Sequence, residues 1–192
     1  MGRSEEQFRR GFKAHANELA AEVRSELNLR PLDPLVPKTL AAHLGIPLMR
    51  LTALRVRAPE AVEHFCSVES GAFSAMTIFD GSRRLIVYND SHPDSRLANS
   101  ISHELSHGLL LHPAQVALDA AGCRVWDTVI ENEANFLAGA LLVTDTAAVN
   151  IARQGIPVHE AARMYGVSPK LITYRLNVTG ARRRAGRVAG AH

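Results

Sequence analysis

The pentapeptide His103-Glu104-Leu105-Ser106-His107 constrains this chain more than any other feature of its sequence. On a helix, two histidines four residues apart share one face at about 5–6 Å, so both can bind one Zn²⁺ ion. The glutamate between them then lies where it can act on a water molecule at the metal. Only about 0.03 chance matches to this pattern are expected for a chain of this length and composition. The motif therefore predicts a helix that carries a metal site.

The composition is that of an ordinary globular chain. Hydrophobic residues make up 46% and charged residues 21% of the 192 positions, and a chain of this size buries a core without disulfides. Its two cysteines, Cys66 and Cys123, give no disulfide framework. We see no signal peptide and no segment that approaches the ~18 apolar residues of a membrane helix. We therefore expect a cytoplasmic protein without a membrane partner.

Periodicity along the chain predicts an α+β fold that is mostly helical. Helical spacing recurs in four segments outside the motif, at residues 3–29, 39–44, 130–143 and 146–154. Two β-rich runs, 73–79 and 84–88, are separated by Asp80-Gly81, which is a hairpin turn signal. We therefore expect a small antiparallel sheet directly before the motif.

The motif helix is expected to begin after residues 89–92. Asp90 or Ser91 can cap its first turn, and Pro93 suits that position. Apolar residues at helical spacing form a stripe away from the two histidines, namely Leu97, Ile101, Leu105 and Leu109. One side of the helix is thus predicted to pack on the core while the other lines a cleft.

Two histidines leave a catalytic zinc site incomplete, because such a site needs three protein ligands and an open position. Position 113, where a metzincin would supply a third histidine, is Pro113. The downstream candidates are His112, Asp119, Cys123, Asp127, Glu131 and Glu133. We favour Glu133, as in the gluzincins, because its apolar stripe is expected to pack toward the motif helix, whereas Glu131 points roughly 200° away. The predicted ligands are therefore His103, His107 and Glu133.

Glu104 is predicted to be the general base. It takes a proton from water and passes it to a leaving amine, while Zn²⁺ lowers the pKa of that water and polarises the carbonyl under attack. Mn²⁺ and Fe²⁺ are alternatives, because the ligand set alone does not fix the metal. A donor for the developing oxyanion is also needed, and the candidates near the motif are Tyr88, His92 and Arg96.

Several segments together resemble the ImmA/IrrE family of metallo-endopeptidases. Residues 96–112, RLANSISHELSHGLLLH, look like its active-site helix. Residues 126–143, WDTVIENEANFLAGALLV, are similar to its second motif, whose Glu-Ala-Asn triplet, here Glu133-Ala134-Asn135, carries the third metal ligand. Residues 26–48 and 161–181 look like the N-terminal entry and the usual C-terminal segment of the family.

The resemblance implies a zincin-like fold and a specific activity. Family members are cytosolic bacterial or phage-associated proteases that cleave helix-turn-helix repressors and so derepress genes for stress response or mobile-element transfer. For this chain it implies a zinc-dependent endopeptidase whose protein substrate is an XRE-type repressor. Two alternatives stay open: a DNA-binding regulator, and a toxin–antitoxin-type interaction protein, each with a non-catalytic metal site.

The C-terminal end is predicted to form separate units. We divide the chain into a metallopeptidase domain at 1–154, a helix-turn-helix-like segment at 155–181 and a basic, disordered tail at 182–192. Residues 161–192 carry seven Arg or Lys and no Asp or Glu, a charge typical of contacts with nucleic acid or an acidic partner.

Two functions are open for the helix-turn-helix-like segment. As a DNA reader it would cap its second helix with Ser168 and expose Lys170, Thr173 and Arg175. As a packing module it would dock on the peptidase or receive a repressor. We favour packing over nucleic-acid binding, because one such unit without a dimer partner binds operators poorly.

Overall fold

The computed structural model describes residues 8–81, 83–113 and 127–189, with side chains as far as residue 186. Within these ranges it contains a three-stranded sheet and nine α-helices. The helices are α1 Phe12–Glu26, α2 Pro37–His43, α3 Pro59–Glu63, α4 Asp94–Leu109, α5 Thr128–Leu142, α6 Asp145–Gln154, α7 Val158–Tyr165, α8 Pro169–Val178 and α9 Ala181–Ala189. The strands are β1 Leu48–Arg50, β2 Ala75–Asp80 and β3 Arg83–Tyr88. The predicted mostly helical α+β class is confirmed.

The sheet is mixed, where the sequence predicted an antiparallel one. Its strand order is β1-β3-β2. Strands β2 and β3 form the expected antiparallel hairpin, which turns at Gly81 with φ +58°. Strand β1 pairs with β3 in parallel, with Leu48 opposite Ile86. The sequence marked an extended segment at β1 but not its direction, because a parallel partner is joined through a long crossover that leaves no local turn signal.

Of the predicted helix at 3–29, residues 3–7 fall outside the described residues, and α1 begins only after Gly11, whose φ of +79° favours glycine. Its buried residues recur at helical spacing: Phe12, Ala16, Ala20 and Val23. Phe12 meets Phe136 of α5 edge-on, with ring centroids 5.9 Å apart. Full burial of a side chain of this size contributes roughly 1.5–3 kcal/mol, so this face fixes α1 against α5.

Helix α4 carries the motif and begins one residue after Pro93. Neither expected cap is used, because Asp90 binds Thr52 and the Ser91 hydroxyl donates to Asn89. Asp94 instead places a negative charge in the first turn, which the helix dipole favours. Three of the four predicted stripe residues are buried, namely Leu97, Ile101 and Leu105. The opposite face is thereby left for the histidines.

Helix α5 is the central helix of the fold. Asp127 caps it by accepting hydrogen bonds from the backbone N–H groups of Val129 and Ile130. Every residue from 136 to 142 is buried, so all faces of this part of the helix are covered, as is typical of a helix surrounded by others. No single described helix is long and apolar enough to cross a membrane. Helices α5 and α6 have that length and composition only when taken together, and their axes are bent by 59° at the break between them.

Helices α7 and α8 belong to the same hydrophobic cluster as α1, α4 and α5. Gly166 turns the chain between them with φ +64°, and Ser168 caps α8 as predicted. Arg175, expected at the surface of a DNA reader, is instead fully buried and donates to the Val143 carbonyl and to Asp145, both at 2.8 Å. Its guanidinium holds α8 to the α5–α6 junction.

Residues 182–189 of the expected disordered tail lie instead in helix α9, and residues 190–192 of that tail fall outside the described residues. This helix packs on α6 and α8. Ala181 is fully buried, and Arg184 bonds Asp145 at 3.3 Å. Small residues alternate with the arginines of this segment, a pattern compatible with a helix, but the high positive charge favoured a disordered tail in the prediction.

Candidate metal centre

Helix α4 presents His103, Glu104 and His107 on the side away from its buried stripe. The two Nε2 atoms of the histidines lie 3.1 Å apart, as expected for residues one helical turn apart with both rings turned the same way. Both side chains are about one-fifth exposed, so the pair is accessible from solvent. This part of the predicted site is brought together by α4 alone.

The acidic side chain that completes a group of three with these histidines is Glu131 of α5. One carboxylate oxygen lies 3.2 Å from His103 Nε2, and the other lies 3.6 Å from His107 Nε2. A ligand atom from each of the three residues falls within 4.8 Å of the others, the arrangement expected of a metal-binding cluster. We call these three residues, His103, His107 and Glu131, the histidine–glutamate cluster.

Glu133, the ligand predicted from the sequence, lies on the other side of α5. Its carboxylate is fully buried and bonds Arg9 and His112. Leu137 and Ala140, which share a stripe with Glu133, lie in the hydrophobic core, but so do most other residues of α5. Burial of that stripe therefore did not identify which face meets α4, and the structure brings Glu131 rather than Glu133 to the histidines.

The geometry of the histidine–glutamate cluster fits a tetrahedral metal ion. Ligand atoms about 2.0–2.1 Å from zinc are separated by roughly 3.3–3.4 Å along the edges of the tetrahedron. The two Nε2 atoms lie 3.1 Å apart, and each lies 3.2 or 3.6 Å from a different oxygen of Glu131, all close to that value. The donor set of two imidazoles and a carboxylate is also one that zinc takes in hydrolytic sites.

The outer nitrogens of both histidines are held by neighbouring side chains. His103 Nδ1 donates to the Asn135 amide oxygen at 3.0 Å, and His107 Nδ1 lies 3.0 Å from His112 Nδ1. Asn135 is four residues after Glu131, so both reach α4 from the same face of α5. A histidine whose Nδ1 carries the proton turns an unprotonated Nε2 toward the ligand position.

Charges in the cluster shift its pKa values in opposite directions. Burial disfavours a charged His103, but its hydrogen bond to Glu131 and the charges of Glu104 and Glu131 outweigh burial and raise its pKa. Burial, together with the charge of His103, lowers the pKa of His107 to about 4. Burial opposes the ionised form of Glu131, yet the hydrogen bond with His103 lowers its pKa. The cluster therefore combines a negative carboxylate with a neutral imidazole at His107.

The family model of the IrrE N-terminal-like domain (Peptidase_M78) matches residues 62–177. That range covers more than half of the chain and contains α4, α5 and the whole histidine–glutamate cluster. The chain belongs to this family. The predicted recognition as an ImmA/IrrE-type metallopeptidase is thereby confirmed, and the cluster together with the family indicates a metal ion. The comparison with curated proteins gives no significant match.

In this IrrE-type domain, Glu104 is held by the sheet. The Thr77 hydroxyl donates to Glu104 Oε2 at 2.6 Å. Thr77 lies on β2, an outer strand of the three-stranded sheet, opposite Ile86 of β3. The bond leaves the other carboxylate oxygen, Oε1, free of Thr77. Thr77 was not among the residues predicted to belong to the site, although its place in a β-rich run just before the motif was a usable signal.

The remaining ligand candidates of the IrrE-type domain have other roles or lie elsewhere. Asp127 caps α5, and His112 lies behind His107. Asp119 and Cys123 fall outside the described residues. The structure therefore leaves the histidine–glutamate cluster as the metal-binding group among the residues it describes.

None of the three candidates for the oxyanion donor has a described bond to the histidine–glutamate cluster. Tyr88 is buried beneath the Lys38 ammonium, which lies 5.7 Å from its ring. His92 is buried too, with Nε2 donating to the Ser70 carbonyl at 2.6 Å. Arg96 donates to the Ser74 hydroxyl at 2.8 Å. The contacts of His92 and Arg96 hold the loop between the π-helical turn at His64–Val68 and β2.

Proposed function

We propose that this protein is a zinc-dependent endopeptidase in which His103, His107 and Glu131 hold the metal and Glu104 is the general base. The observation that carries the proposal is the convergence of two Nε2 atoms and a carboxylate at the edge lengths of a zinc tetrahedron. Three protein ligands leave a fourth position open, which distinguishes a catalytic site from a closed structural one.

Zinc bound there would supply Lewis-acid chemistry, lowering the pKa of a water molecule toward ~7 and polarising a peptide carbonyl. The protein supplies the proton transfer. Glu104 accepts the proton of the attacking water on Oε1, because Thr77 occupies Oε2. It then delivers that proton to the amine that leaves when the C–N bond breaks.

The protein substrate that we propose is a helix-turn-helix repressor of the XRE type, whose cleavage relieves repression in the cytoplasm. This assignment rests on the resemblance of the two active-site motifs to the ImmA/IrrE proteases. Zinc is preferred to Mn²⁺ or Fe²⁺ because two imidazoles and one carboxylate form a common hydrolytic zinc site.

The test is cleavage of purified helix-turn-helix repressors of the XRE type, including any that is encoded beside this gene. Glu104→Gln keeps the size of the side chain and removes the base but no ligand. It should keep its zinc and bind the repressor, yet cleave it ~10²–10⁴ times more slowly. Glu22→Gln, the same change at an exposed position of α1, should cleave at the wild-type rate.

Two results would count against the proposal. Cleavage by Glu104→Gln at the wild-type rate would exclude the base mechanism, whatever the zinc content. Zinc-loaded wild-type protein that cleaves no helix-turn-helix repressor would remove the proposed substrate class while leaving the metal site in place.

A further inference from the structure

A chain of hydrogen bonds runs from the metal ligand His107 away from the metal position. His107 Nδ1 lies 3.0 Å from His112 Nδ1, and His112 Nε2 lies 3.4 Å from Glu133 Oε2. Glu133 in turn accepts from the Arg9 side chain, at 2.7 Å from Nε, and from the Arg9 backbone N–H at 3.3 Å. We call His112, Glu133 and Arg9 the outer relay.

The chemistry of Glu133 fixes the direction of every bond in this chain. Its ionised carboxylate only accepts hydrogen bonds, so His112 must donate from Nε2. A neutral His112 then has a lone pair at Nδ1, which accepts the Nδ1 proton of His107. His107 is thereby left with an unprotonated Nε2, the atom that faces His103 and Glu131.

We infer that His112 and Glu133 are positioning residues that fix the tautomer and ring orientation of His107 and so tighten metal binding. The inference rests on the proposed function, in which His107 is a metal ligand. It assigns a role to the buried carboxylate of Glu133, which was predicted from the sequence to be a metal ligand. Removal of such a partner typically costs about 10–100-fold in metal affinity.

Burial makes the inner part of the relay, His112 and Glu133, rigid. Glu133 is 1% exposed and His112 is 8% exposed. An unpaired carboxylate at that depth would be strongly unfavourable, so its partners are held closely. His103, in contrast, is steadied by one neutral amide, that of Asn135. The two histidine ligands thus have different supports, and a charge-backed imidazole is the more basic ligand.

Arg9 ties the N-terminal segment to this arrangement. Its side chain is 64% exposed, but its guanidinium and backbone N–H both reach Glu133. The segment is held in place by Phe8, which stacks on Phe12 and meets Phe136 edge-on, both at 5.6 Å between ring centroids. Arg9 binds both oxygens of Glu133, with Nε at Oε1 and Nη2 at Oε2, and so fixes the carboxylate whose Oε2 also faces His112 Nε2.

The experiment measures Zn²⁺ affinity of the full chain, by competition with a chromophoric chelator, in two variants of His112. Asn retains a side-chain oxygen close to the place of the imidazole Nδ1, whereas Leu retains no acceptor. His112→Leu should bind Zn²⁺ about 10–100-fold more weakly than wild type. His112→Asn should recover most of that loss, although both variants lose the bond to Glu133.

The matched control is His92→Leu, which removes another buried histidine, 7% exposed, whose ring bonds a loop carbonyl instead of the cluster. It should keep the wild-type zinc affinity. In metal-free wild-type protein, where no metal ion fixes the tautomer, ¹⁵N chemical shifts should place the His107 proton on Nδ1. This tautomer signature should be lost in His112→Leu and kept in His112→Asn.

The outcomes separate the relay from the metal site. If wild type binds zinc and His112→Leu binds it equally tightly, or if Leu and Asn weaken binding equally, the relay has no positioning role. If wild type itself binds no zinc, the proposed function fails first. If His92→Leu loses as much affinity as His112→Leu, the effect is general destabilisation and the inference is wrong.

Discussion

Two glutamates two residues apart on α5 have opposite environments. Glu131 faces the histidines of α4 in a solvent-accessible site, whereas Glu133 lies beneath them, paired with Arg9 and His112. On a helix, residues i and i+2 point about 200° apart. One side chain can therefore lie at the proposed metal position only if the other is directed elsewhere.

Metal binding distinguishes these two glutamates. Glu131→Gln replaces a charged ligand by a weak neutral one and should abolish tight zinc binding. Glu133→Gln keeps an acceptor for His112 and should lower the affinity far less. Isothermal titration with Zn²⁺ on both variants measures the difference. A larger loss in Glu133→Gln would restore the ligand predicted from the sequence.

Thr77 is expected to matter through Glu104. Its hydroxyl is the described donor to that carboxylate, and a hydrogen bond to a charged group contributes about 1.5–3 kcal/mol. Thr77→Val keeps the shape but removes the donor, and kcat for repressor cleavage should fall roughly 10-fold or more. Thr77→Ser should stay near wild type. Equal rates for Val and Ser would mean that the bond does not orient the base.

At the scale of elements, the sequence predicted α4 well and α5 only in part. The stripe of Leu97, Ile101 and Leu105 has a polar opposite face, so its burial determines where the histidines point. Helix α5 is buried on nearly all sides, and a helix of that kind carries no amphipathic signal for the direction of Glu131. The contact with α4 that decides the ligand is tertiary.

Glycines in α4 and α5 should respond differently to a methyl group. A Cβ at Gly139 would lie 3.0 Å from Arg175 Cδ, and that buried side chain is fixed by Val143 and Asp145. Gly139→Ala should therefore destabilise the fold by about 1–3 kcal/mol. The measurement is the free energy of unfolding in urea.

Gly108→Ala is the matched control for that substitution. A Cβ at Gly108 would meet only the far end of the flexible Arg84 side chain, which can move aside. Because alanine is the better helix former by about 0.5–1 kcal/mol, this variant should be at least as stable as wild type. A stable Gly139→Ala together with an unstable Gly108→Ala would contradict both packing arguments.

At the scale of the whole molecule, the C-terminal helices complete the core and are not an appendage. Arg175 lies in the interior, and α9 covers α6. Deletion of residues 182–192 removes most of α9 and should lower the melting temperature. Because Arg175 is buried, sequence-specific DNA binding is not expected before or after the deletion. Tight binding of an operator by the intact chain would favour the DNA-binding alternative instead.

Metal binding should stabilise the whole fold, because the histidine–glutamate cluster joins α4 to α5, and α5 also contacts α1 and α8 in the core. A ligand that binds only the folded state stabilises it by RT ln(1 + [L]/Kd), about 2.7 kcal/mol at 100 times Kd. Removal of zinc by a chelator should therefore lower the melting temperature of the wild type by several degrees. The chelator should not shift the melting temperature of Glu131→Gln, since this variant holds no tightly bound zinc to lose. An equal shift in both proteins would place the stabilising metal somewhere other than the histidine–glutamate cluster.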